Sequence, residues 1–489
     1  MAKKQRIAKK PQQITSRSGY HKRYLTSEWE SFLNGWFVSD SSIDSVLAKY
    51  HTKTVRRSRE QHRKNDYVKR YFQLLQTNVI GPDGIVLHAL IADKKGKRKT
   101  KKNESIERAW RKWMRKSYCD IQGKLDFVQM QQVILTTVAQ DGEAIIRLIR
   151  DKENPFGIAL QLINTERLDV DYNKRLSDKS QIKNSIEFNQ YGKPIAYYFL
   201  NQEESTGQNG KKYQRVKADE IIHLYRTDFA GQNRGMPWIA TALFRMRMLD
   251  DYHDAAIGNA NVTAKKIFVF KKKFNDNQVN AKDIPPVQEE SIGHMVIPDN
   301  YEFTPFDSQY PNGEIEPFTK AILRGIASGL GISYHSLASD LTSVNYSSLR
   351  QGAIDERDTY RTIQNWFINA FLIPLYEKWL ESALLFEAVQ NLTLSEYEQA
   401  LCVRFQARRW QWVDPAKEMT AYEKKLNLGV TTRDDIIREL GRDPEHVFNQ
   451  LQHENEQLTE YGLTSLLSPS PTTNPAKDVI NDDETKRDT

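Results

Sequence analysis

The spacing of hydrophobic and polar residues divides the chain into helical and β-rich regions. Apolar side chains recur at helical intervals between residues 39 and 78, and again in NESIERAWRKWMRK, where Ile106, Trp110 and Trp113 share one face. Four β-branched or aromatic runs follow, separated by Gly, Pro, Asn and Asp, and they predict strands of a mostly antiparallel sheet. These runs are GEAIIRLIR, FGIALQLIN, KPIAYYFL and DEIIHLYR.

A helical pattern returns after residue 236. Pro237 suits the first turn of a helix, because its missing N–H has no intrahelical partner there. Apolar residues then follow along one face at Ile239, Leu243, Met246 and Leu249. This spacing predicts a helix with one buried side.

A short strand and a mixed segment come next. IFVF predicts the strand, and residues 271–315 hold several Pro and Gly residues in a polar context. They predict either a small α+β excursion or a long loop. The helical pattern resumes at about Pro317.

The segment SDLTSVNYSSLRQG, residues 339–352, is small, polar and almost free of charge, and it separates two helical patterns. Gly329 and Gly331 predict the end of the first helix. Asn345 is suited to cap the second helix, since its side chain can accept a bond from a free backbone N–H.

The second helix is predicted to run from Tyr346 to about Leu385, which is about 60 Å at 1.5 Å per residue. Pro374 cannot donate a backbone bond to Ala370, so a kink is expected there. A helix of this length exceeds one compact core and suits packing between identical subunits. The charged run of residues 355–358 would then face a neighbouring subunit, or else lie in solvent.

The last part of the chain is helical again. Asp414–Pro415 and Asp443–Pro444 resemble helix starts, and Gly429 and Gly441 resemble helix stops. Residues 465–489 are rich in Ser, Pro, Thr and Asp, which predicts disorder.

Charge and composition narrow the class of protein. The chain has 489 residues and a net charge of +8, and 27% of its residues are charged, which predicts two to four domains with much exposed surface. Basic residues concentrate in MAKKQRIAKK at the N-terminus and in KKGKRKTKK at residues 94–102. Each run suits either a polyanionic partner or plain solvation. No signal peptide and no membrane span is predicted.

Motifs for catalysis and cofactor binding are missing from the sequence. The two cysteines, Cys119 and Cys402, form neither a disulfide framework nor zinc spacing, and no phosphate-binding loop or HExxH motif occurs. Asp250 and Asp251 could hold Mg²⁺ in a nuclease, but ion pairing with nearby arginines is favoured. His223 lies in a strand pattern and is interpreted as structural. No catalytic residue, metal or cofactor is therefore predicted.

Three segments, taken in order, resemble the portal proteins of phage lambda and its relatives. They are RGMPWIATALFRMRMLDDY, ILRGIASGLGISYHSLASDLTSVNYSSLRQG and WVDPAKEMTAYEKKLNLGVTTRDDII. The resemblance runs from about residue 40 to 460 and is most specific over residues 324–356. The basic N-terminus, the lysine-rich run and the last residues lie outside it.

The resemblance implies an α+β portal fold with a wing, a stem, a clip and a crown. Its expected parts are a basic N-terminal arm (1–38), a wing of helices and then strands (39–236), a stem helix (237–265), a clip (266–315), a second stem helix (316–332), a tunnel loop (333–345), a long kinked helix returning to the wing (346–400), a helical crown region (401–464) and a disordered tail (465–489).

The resemblance also implies partners and a location. The expected assembly is a ring of twelve identical subunits at one capsid vertex of the virion, formed in the host cytoplasm, through which double-stranded DNA is packaged and later ejected. The expected partners are the large terminase subunit, the major capsid protein or a scaffold, and head-completion or adaptor proteins. No membrane is involved, and the protein itself is not expected to be an enzyme.

The expected site is the loop that contacts DNA in the channel. The residues implied to line it are Ser339, Asp340, Leu341, Thr342, Ser343 and Val344, and those at the cap of the following helix are Asn345, Ser347, Ser348 and Arg350. Small polar residues can touch a sliding duplex without holding it, because each Lys or Arg on a phosphate would add affinity. Asp340 is expected to form a ring of negative charge that keeps the duplex centred.

Two other hypotheses remain open at this point. One is a basic nucleic-acid-binding or replication protein that acts without a ring. A weaker one is a metal-dependent nuclease. Only the portal hypothesis requires a ring of very high mass.

Overall fold

The computed structural model describes most of the chain between residues 42 and 463. The described residues are 42–93, 95, 97–176, 180–201, 212–264, 268–272, 301–305, 315–342, 345–410 and 415–463. They belong to two compact units, Met1–Phe405 and Gln406–Thr489. The predicted arm (1–38) and tail (465–489), and most of the predicted clip, lie outside the described residues.

Helices account for much of the first unit. In chain order they are α1 (Ile43–Lys64), α2 (Asp66–Leu75), α3 (Thr100–Trp113), α4 (Lys116–Cys119), α5 (Phe127–Asp141), α6 (Leu243–Ala264), α7 (Ile315–Leu330), α8 (Tyr334–Ala338), α9 (Tyr346–Phe367), α10 (Ile373–Leu385) and α11 (Tyr397–Ala400). Among the described residues, no helix is both long enough and apolar enough to cross a membrane.

The described strands pair in four sheets. In chain order they are β1 (Val86–Ala89), β2 (Glu143–Arg150), β3 (Ile158–Ile163), β4 (Lys174–Arg175), β5 (Gln181–Lys183), β6 (Ile186–Phe188), β7 (Pro194–Leu200), β8 (Tyr213–Lys217), β9 (Ile221–Tyr225), β10 (Phe268–Lys272), β11 (Tyr301–Pro305) and β12 (Val403–Gln406). The order is β3-β2-β9 in one sheet, β4 to β8 in sequence in another, and β1-β12 and β10-β11 in two pairs.

The predicted antiparallel pairing is confirmed in the two larger sheets. Strand β2 pairs antiparallel with β3 and with β9, and β4 to β8 form an antiparallel meander. Side chains from both sheets share one buried cluster that includes Ile145, Ile186, Tyr197 and Phe199. The strands are therefore held by one core although they form separate sheets.

An aromatic cluster joins three helices of the first unit. Trp110 of α3 lies 4.9 Å from the ring of Trp379 of α10 and 5.5 Å from the ring of Phe127 of α5. Trp113 is fully buried beside them. Rings of this size contribute a large share of the buried apolar surface, so α3 is firmly anchored. The predicted shared face of Ile106, Trp110 and Trp113 is confirmed.

A buried charged cluster joins α1 to the β-rich region. Glu143, at the start of β2, is fully buried and contacts Arg234, whose Nε lies 2.8 Å from Oε2 of Glu143. His223 of β9 lies 3.0 Å from the same carboxylate, which agrees with its predicted structural role. His51 of α1 is buried nearby, 3.8 Å from Glu143. Burial alone would raise the pKa of Glu143, but Arg234 and His223 outweigh it and hold that pKa well below its usual value.

The predicted stem and clip segments contain the expected kinds of element. Helix α6 occupies Leu243–Ala264, and residues 238–242 before it form turns rather than the start of the helix. Ile239, Met246 and Leu249 are buried, as their spacing predicts. Strands β10 and β11 pair antiparallel inside the predicted clip.

The long predicted helix is interrupted close to the predicted position. Helix α9 ends at Phe367, a π-helical turn occupies Ile368–Leu372, and α10 continues with Pro374 in its first turn. Leu385 is the last residue of α10, which matches the predicted end. The proline lacks a backbone donor, and the wider turn before it accommodates that loss.

The second unit consists of three described helices. They are α12 (Pro415–Asn427), α13 (Arg433–Glu439) and α14 (Pro444–Glu460). Gly429 and Gly441 have the left-handed backbone typical of residues that follow a helix, and Asp443 caps α14 as predicted. Pro444 is the one buried residue of these three helices.

Candidate functional site: the loop between α7 and α9

The first boundary of the loop is set by a glycine after α7. The helix ends at Leu330, and Gly331 follows with φ of 69°, a left-handed conformation that costs glycine little. The amide of Ile332 donates to the carbonyl of Ala327 at 3.2 Å, which satisfies the helix end. The predicted stop is confirmed at Gly331, whereas Gly329 lies inside the last turn.

The segment after Gly331 is partly helical, which corrects the prediction of a continuous tunnel loop over 333–345. Ser333 caps the short helix α8, its side chain accepting a bond from the amide of Ser336 at 3.1 Å. Leu337 packs into the core with 1% of its surface exposed. Ser339 ends the helix in a left-handed conformation with φ of 53°. The exposed loop is therefore shorter than predicted and begins at Ser339.

Asp340 organises this shortened loop. Its carboxylate accepts a bond from the hydroxyl of Tyr334 at 2.8 Å and from the backbone amide of Thr342 at 2.9 Å. Lys320 of α7 lies 3.5 Å from the same carboxylate and 2.7 Å from that of Glu316. The side chain of His335 completes the turn by contacting the Asp340 carbonyl at 2.8 Å.

These contacts change the electrostatics of the loop. Hydrogen bonds from Thr342 and Tyr334, with the nearby charge of Lys320, hold the pKa of Asp340 well below its usual value. The hydrogen bond to Glu316 and the charge of Asp340 raise the pKa of Lys320. Lys320 of α7 is thus shared between two carboxylates, that of Asp340 in the loop and that of Glu316 in its own helix.

Helix α9 holds the short helix α8 through one carboxylate. Glu356 accepts bonds from the hydroxyls of Ser333 at 3.0 Å and Ser336 at 2.7 Å, and from Tyr360 at 2.7 Å. On the other side, Nε of Arg70 from α2 donates to the carbonyl of Ser336 at 3.2 Å. The base of the loop is therefore fixed by α2, α7 and α9 together.

The tip of the loop is exposed and carries no free charge among its described residues. Leu341 has 65% of its surface exposed, and Ser339 and Thr342 are exposed beside it. Ser343 and Val344, which were predicted to line the channel, lie outside the described residues. Leu341 is thus the largest side chain that the described tip presents to solvent.

The second boundary of the loop is the predicted cap. The side chain of Asn345 accepts a bond from the amide of Ser348 at 2.8 Å, so its prediction as the cap of α9 is confirmed. Ser347 and Ser348 are exposed in the first turn of α9, and Arg350 is half-buried in the second. Asn345 is the residue of this group whose side chain makes the capping bond.

Two electrostatic expectations need correction. Asp340 does not present its carboxylate freely, since its side chain is only 19% exposed and bonds within its own loop. The run of residues 355–358 does not act as one surface, because Glu356 is used inside the subunit. Neither arrangement is visible in the sequence, because nothing in the spacing pairs Lys320 with Asp340 or Glu356 with Ser336.

The two aspartates considered as possible metal ligands, Asp250 and Asp251, both bind protein side chains. Arg247 binds Asp251 at 2.7 Å, as the helical spacing predicts. The predicted pairing with nearby arginines thus holds for Asp251, whereas the carboxylate of Asp250 accepts a bond from the side chain of Asn65 at 2.7 Å. Within the described residues, no three His, Cys, Asp or Glu side chains come together as metal ligands.

Comparison with known proteins shows the family to which this chain belongs. The family model described as phage portal protein, lambda family, matches residues 30–364. The probable portal protein of Halomonas phage phiHAP-1 is 31% identical over 92% of this chain and 90% of that protein. The chain belongs to the lambda family of phage portal proteins.

Two more distant similarities are found. Portal protein B of Escherichia phage lambda is 20% identical over 88% of each chain. A solved chain from the neck of an empty gene transfer agent particle has 13% identity and a TM-score of 0.45, with 80% of this chain and 94% of that chain covered. As a member of the family, the chain is a portal protein that forms a ring at the capsid vertex of the virion.

Proposed function

We propose that twelve copies of this chain form the ring and that the loop after α8 lines its channel. Double-stranded DNA passes through the channel during packaging by the large terminase subunit and leaves through it on ejection. The outer faces of the ring contact the major capsid protein or a scaffold and, later, head-completion or adaptor proteins. Assembly takes place in the host cytoplasm, and the chain itself catalyses no reaction.

The loop geometry is the observation that supports this proposal best. A channel element must hold its shape while a polyanion slides past it. Asp340, Lys320 and Glu356 fix the base of the loop, while the described tip presents Leu341 with small hydroxyl residues. A tip without free cations contacts phosphates without adding the salt-dependent affinity that would arrest movement.

The ring is tested by mass and by imaging. Native mass spectrometry of the folded chain should give a closed oligomer, and electron micrographs viewed along the axis should show its symmetry. A folded chain that stays monomeric at micromolar concentration would refute the portal assignment. It would favour the alternative of a basic nucleic-acid-binding protein acting without a ring.

The place of the loop is tested by adding one cation at the tip. In an in vitro packaging assay with the cognate terminase, Leu341→Lys should slow packaging, because each ring would then carry a circle of cations facing phosphate. The defect should lessen as salt is raised. Leu394→Lys is the matched control, since Leu394 is a similarly exposed leucine, at 53%, on another element.

Two results would contradict the channel assignment. Packaging by Leu341→Lys at the wild-type rate in low salt would show that the tip does not meet DNA. An equal defect in Leu394→Lys would show that added charge acts elsewhere. Both variants must form rings by electron microscopy, so that a failure of assembly is not mistaken for a failure of transport.

A further inference from the structure

A row of exposed basic side chains follows α3 in the first unit. We call this row the basic strip. It begins in the lysine-rich run before α3 and follows the exposed face of α3 to the start of α4. Its members, all exposed, are Lys95, Lys97, Lys101, Arg108, Arg111, Lys112, Arg115 and Lys116.

The strip lies on a rigid support. From Lys101 the cations on α3 recur seven, ten and eleven residues later, which places them on one face of the helix. The opposite face buries Ile106, Trp110 and Trp113 in the aromatic cluster. From Lys101 to Lys112 the strip extends about 17 Å along the helix axis at 1.5 Å per residue.

Two described lysines before α3, Lys95 and Lys97, are also held by hydrogen bonds. Oδ1 of Asp93 accepts bonds from the backbone amides of Lys95 at 2.9 Å and Lys97 at 2.8 Å. Ala92 and Arg98 form a β-bridge. These bonds fix the backbone amides of Lys95 and Lys97, whose side chains are exposed a few residues before α3.

Stability of the helix does not explain this charge. Lys101 stands in the first turn of α3, which has no acidic residue, although a cation at that end opposes the helix dipole. Arg108 and Lys112 are four residues apart, a spacing at which like charges repel. Glu104 is the single exposed acidic residue of the helix.

Several other helices pair some of their surface cations at helical spacing, whereas in α3 the ion pair of Lys102 with Glu396 lies outside the strip. Ion pairs at helical spacing join Lys64 to Glu60, Arg247 to Asp251, Lys320 to Glu316 and Arg438 to Asp434. The ion pairs of the described residues include none that joins Lys101, Arg108, Arg111 or Lys112 to a carboxylate. The strip is thus an unneutralised cationic surface on an ordered helix.

We propose that the basic strip binds the phosphate backbone of double-stranded DNA. It is a second DNA contact, separate from the loop that is proposed to line the channel. Protein interfaces need an apolar centre, and between residues 93 and 117 the described chain exposes no large apolar side chain. Phosphate contacts need only positioned Lys and Arg. The choice of duplex DNA among polyanions rests on the proposed function.

The test removes four strip cations and leaves the fold intact. Arg108, Arg111, Lys112 and Arg115 are each replaced by Gln, a good helix former, in the full chain. Binding of a fluorescent 30-base-pair duplex of random sequence is followed by anisotropy in KCl between 50 and 200 mM. We expect the affinity at 100 mM to fall at least about tenfold, and the salt slope to decrease by up to about 3.6 if four phosphate contacts are lost.

The matched control removes the same charge from another surface. Lys174, Arg175, Lys193 and Lys217, all exposed in or beside the five-stranded sheet, are replaced by Gln. This control should bind the duplex with nearly wild-type affinity and slope. The basic N-terminal arm is present in both variants, so its contribution cancels.

Several outcomes would overturn the proposal. One is duplex binding by the strip variant with wild-type affinity. Another is an equal loss of affinity in the control variant. A third is loss of rings by the strip variant, which would make the strip a contact between subunits. Retained duplex binding with loss of poly-glutamate binding would instead indicate an acidic protein partner. A wild-type chain that binds DNA through the strip but forms no ring would contradict the proposed function and still support the strip.

Discussion

Asp340, a residue expected to face DNA in the channel, makes hydrogen bonds with its carboxylate inside its own loop. Its carboxylate bonds to Tyr334 and to the amide of Thr342, and Lys320 lies beside it. An ionised acceptor makes stronger hydrogen bonds than a neutral one, so the charge orders the loop. The low pKa of Asp340 follows from these bonds and keeps the residue ionised through the physiological range.

Removing this carboxylate should loosen the loop and spare the ring. In Asp340→Ala, amide hydrogen exchange over residues 339–342 should become several-fold faster, because the amide of Thr342 loses its acceptor. Asp358→Ala is the control, since Asp358 is exposed and pairs with Arg361 on the surface of α9. Unchanged exchange in Asp340→Ala would mean that other contacts hold the loop.

His51 makes the stability of the first unit depend on pH. Burial, assisted by Arg234, lowers the pKa of His51 from 6.5 to about 4, although Glu143 and Asp141 oppose the shift. The folded protein therefore binds this proton less readily than the unfolded chain. The contribution of neutral His51 to the stability of the folded state is therefore complete above pH 6.5 and is lost as the pH falls toward 4.

Because of His51, the free energy of unfolding is expected to fall by about 2 kcal/mol when the pH is lowered from 7 to 5. His51→Leu should reduce the difference in unfolding free energy between these pH values by that amount, whatever its stability at pH 7. Urea denaturation followed by tryptophan fluorescence measures it. His453→Leu, at an exposed histidine, should keep the wild-type difference. An unchanged difference in His51→Leu would assign the pH dependence to other groups.

At the scale of elements, the start of α9 depends on one side chain. Asn345→Ala removes the acceptor for the amide of Ser348 and should cost about 1 kcal/mol of local helix stability. Exchange of the amides in the first turn should then be about fivefold faster, whereas Asn345→Asp should keep the wild-type rate because Asp caps equally well. Equal exchange in all three proteins would show that packing alone fixes this helix end.

The elements that the sequence predicts well are those with strong local signals. Gly331, Asn345 and Pro374 mark a stop, a cap and an interruption that depend on backbone chemistry within a few residues. The short helix α8 was missed because five residues give little periodicity, and its stability comes from Leu337 in the core and from Glu356 on a distant helix. Contacts between residues far apart in sequence leave no local pattern to read.

The same limit applies to the surfaces and the buried charges. The lysine-rich run is plain in the sequence, but its continuation along α3 becomes visible only when Trp110 and Trp113 are known to face inward. In the sequence, Glu143 is not distinguished from other polar residues of the predicted strands. In the structure it is fully buried between Arg234 and two histidines. Burial of a charge depends on partners that the fold brings together, so sequence spacing cannot predict it.

At the scale of the whole molecule, the two units differ in how much they bury. The first unit has an aromatic cluster and a core between its sheets, whereas Pro444 is the one buried residue in α12, α13 and α14. Hydrophobic burial is the main favourable term in folding. In the unassembled chain the second unit should therefore unfold at a lower temperature than the first.

Calorimetry of the unassembled chain tests this order of unfolding. Two transitions are expected, and most of the change in tryptophan fluorescence should accompany the later one, because seven of the nine tryptophans lie in the first unit. Limited proteolysis below the first transition should cut within residues 415–463 before it cuts elsewhere in the described chain. A single cooperative transition, or earlier cleavage in the aromatic core, would contradict the prediction.

The charged groups at the loop have a consequence for ions as well as for DNA. Each subunit brings two carboxylates, Asp340 and Glu316, to one ammonium, Lys320, which lies 3.5 Å from the first and 2.7 Å from the second. With the loop at the channel as proposed, a ring of such groups carries more carboxylates than ammonium groups. A ring reconstituted as a nanopore should then pass potassium more readily than chloride, and Lys320→Met should increase this cation selectivity.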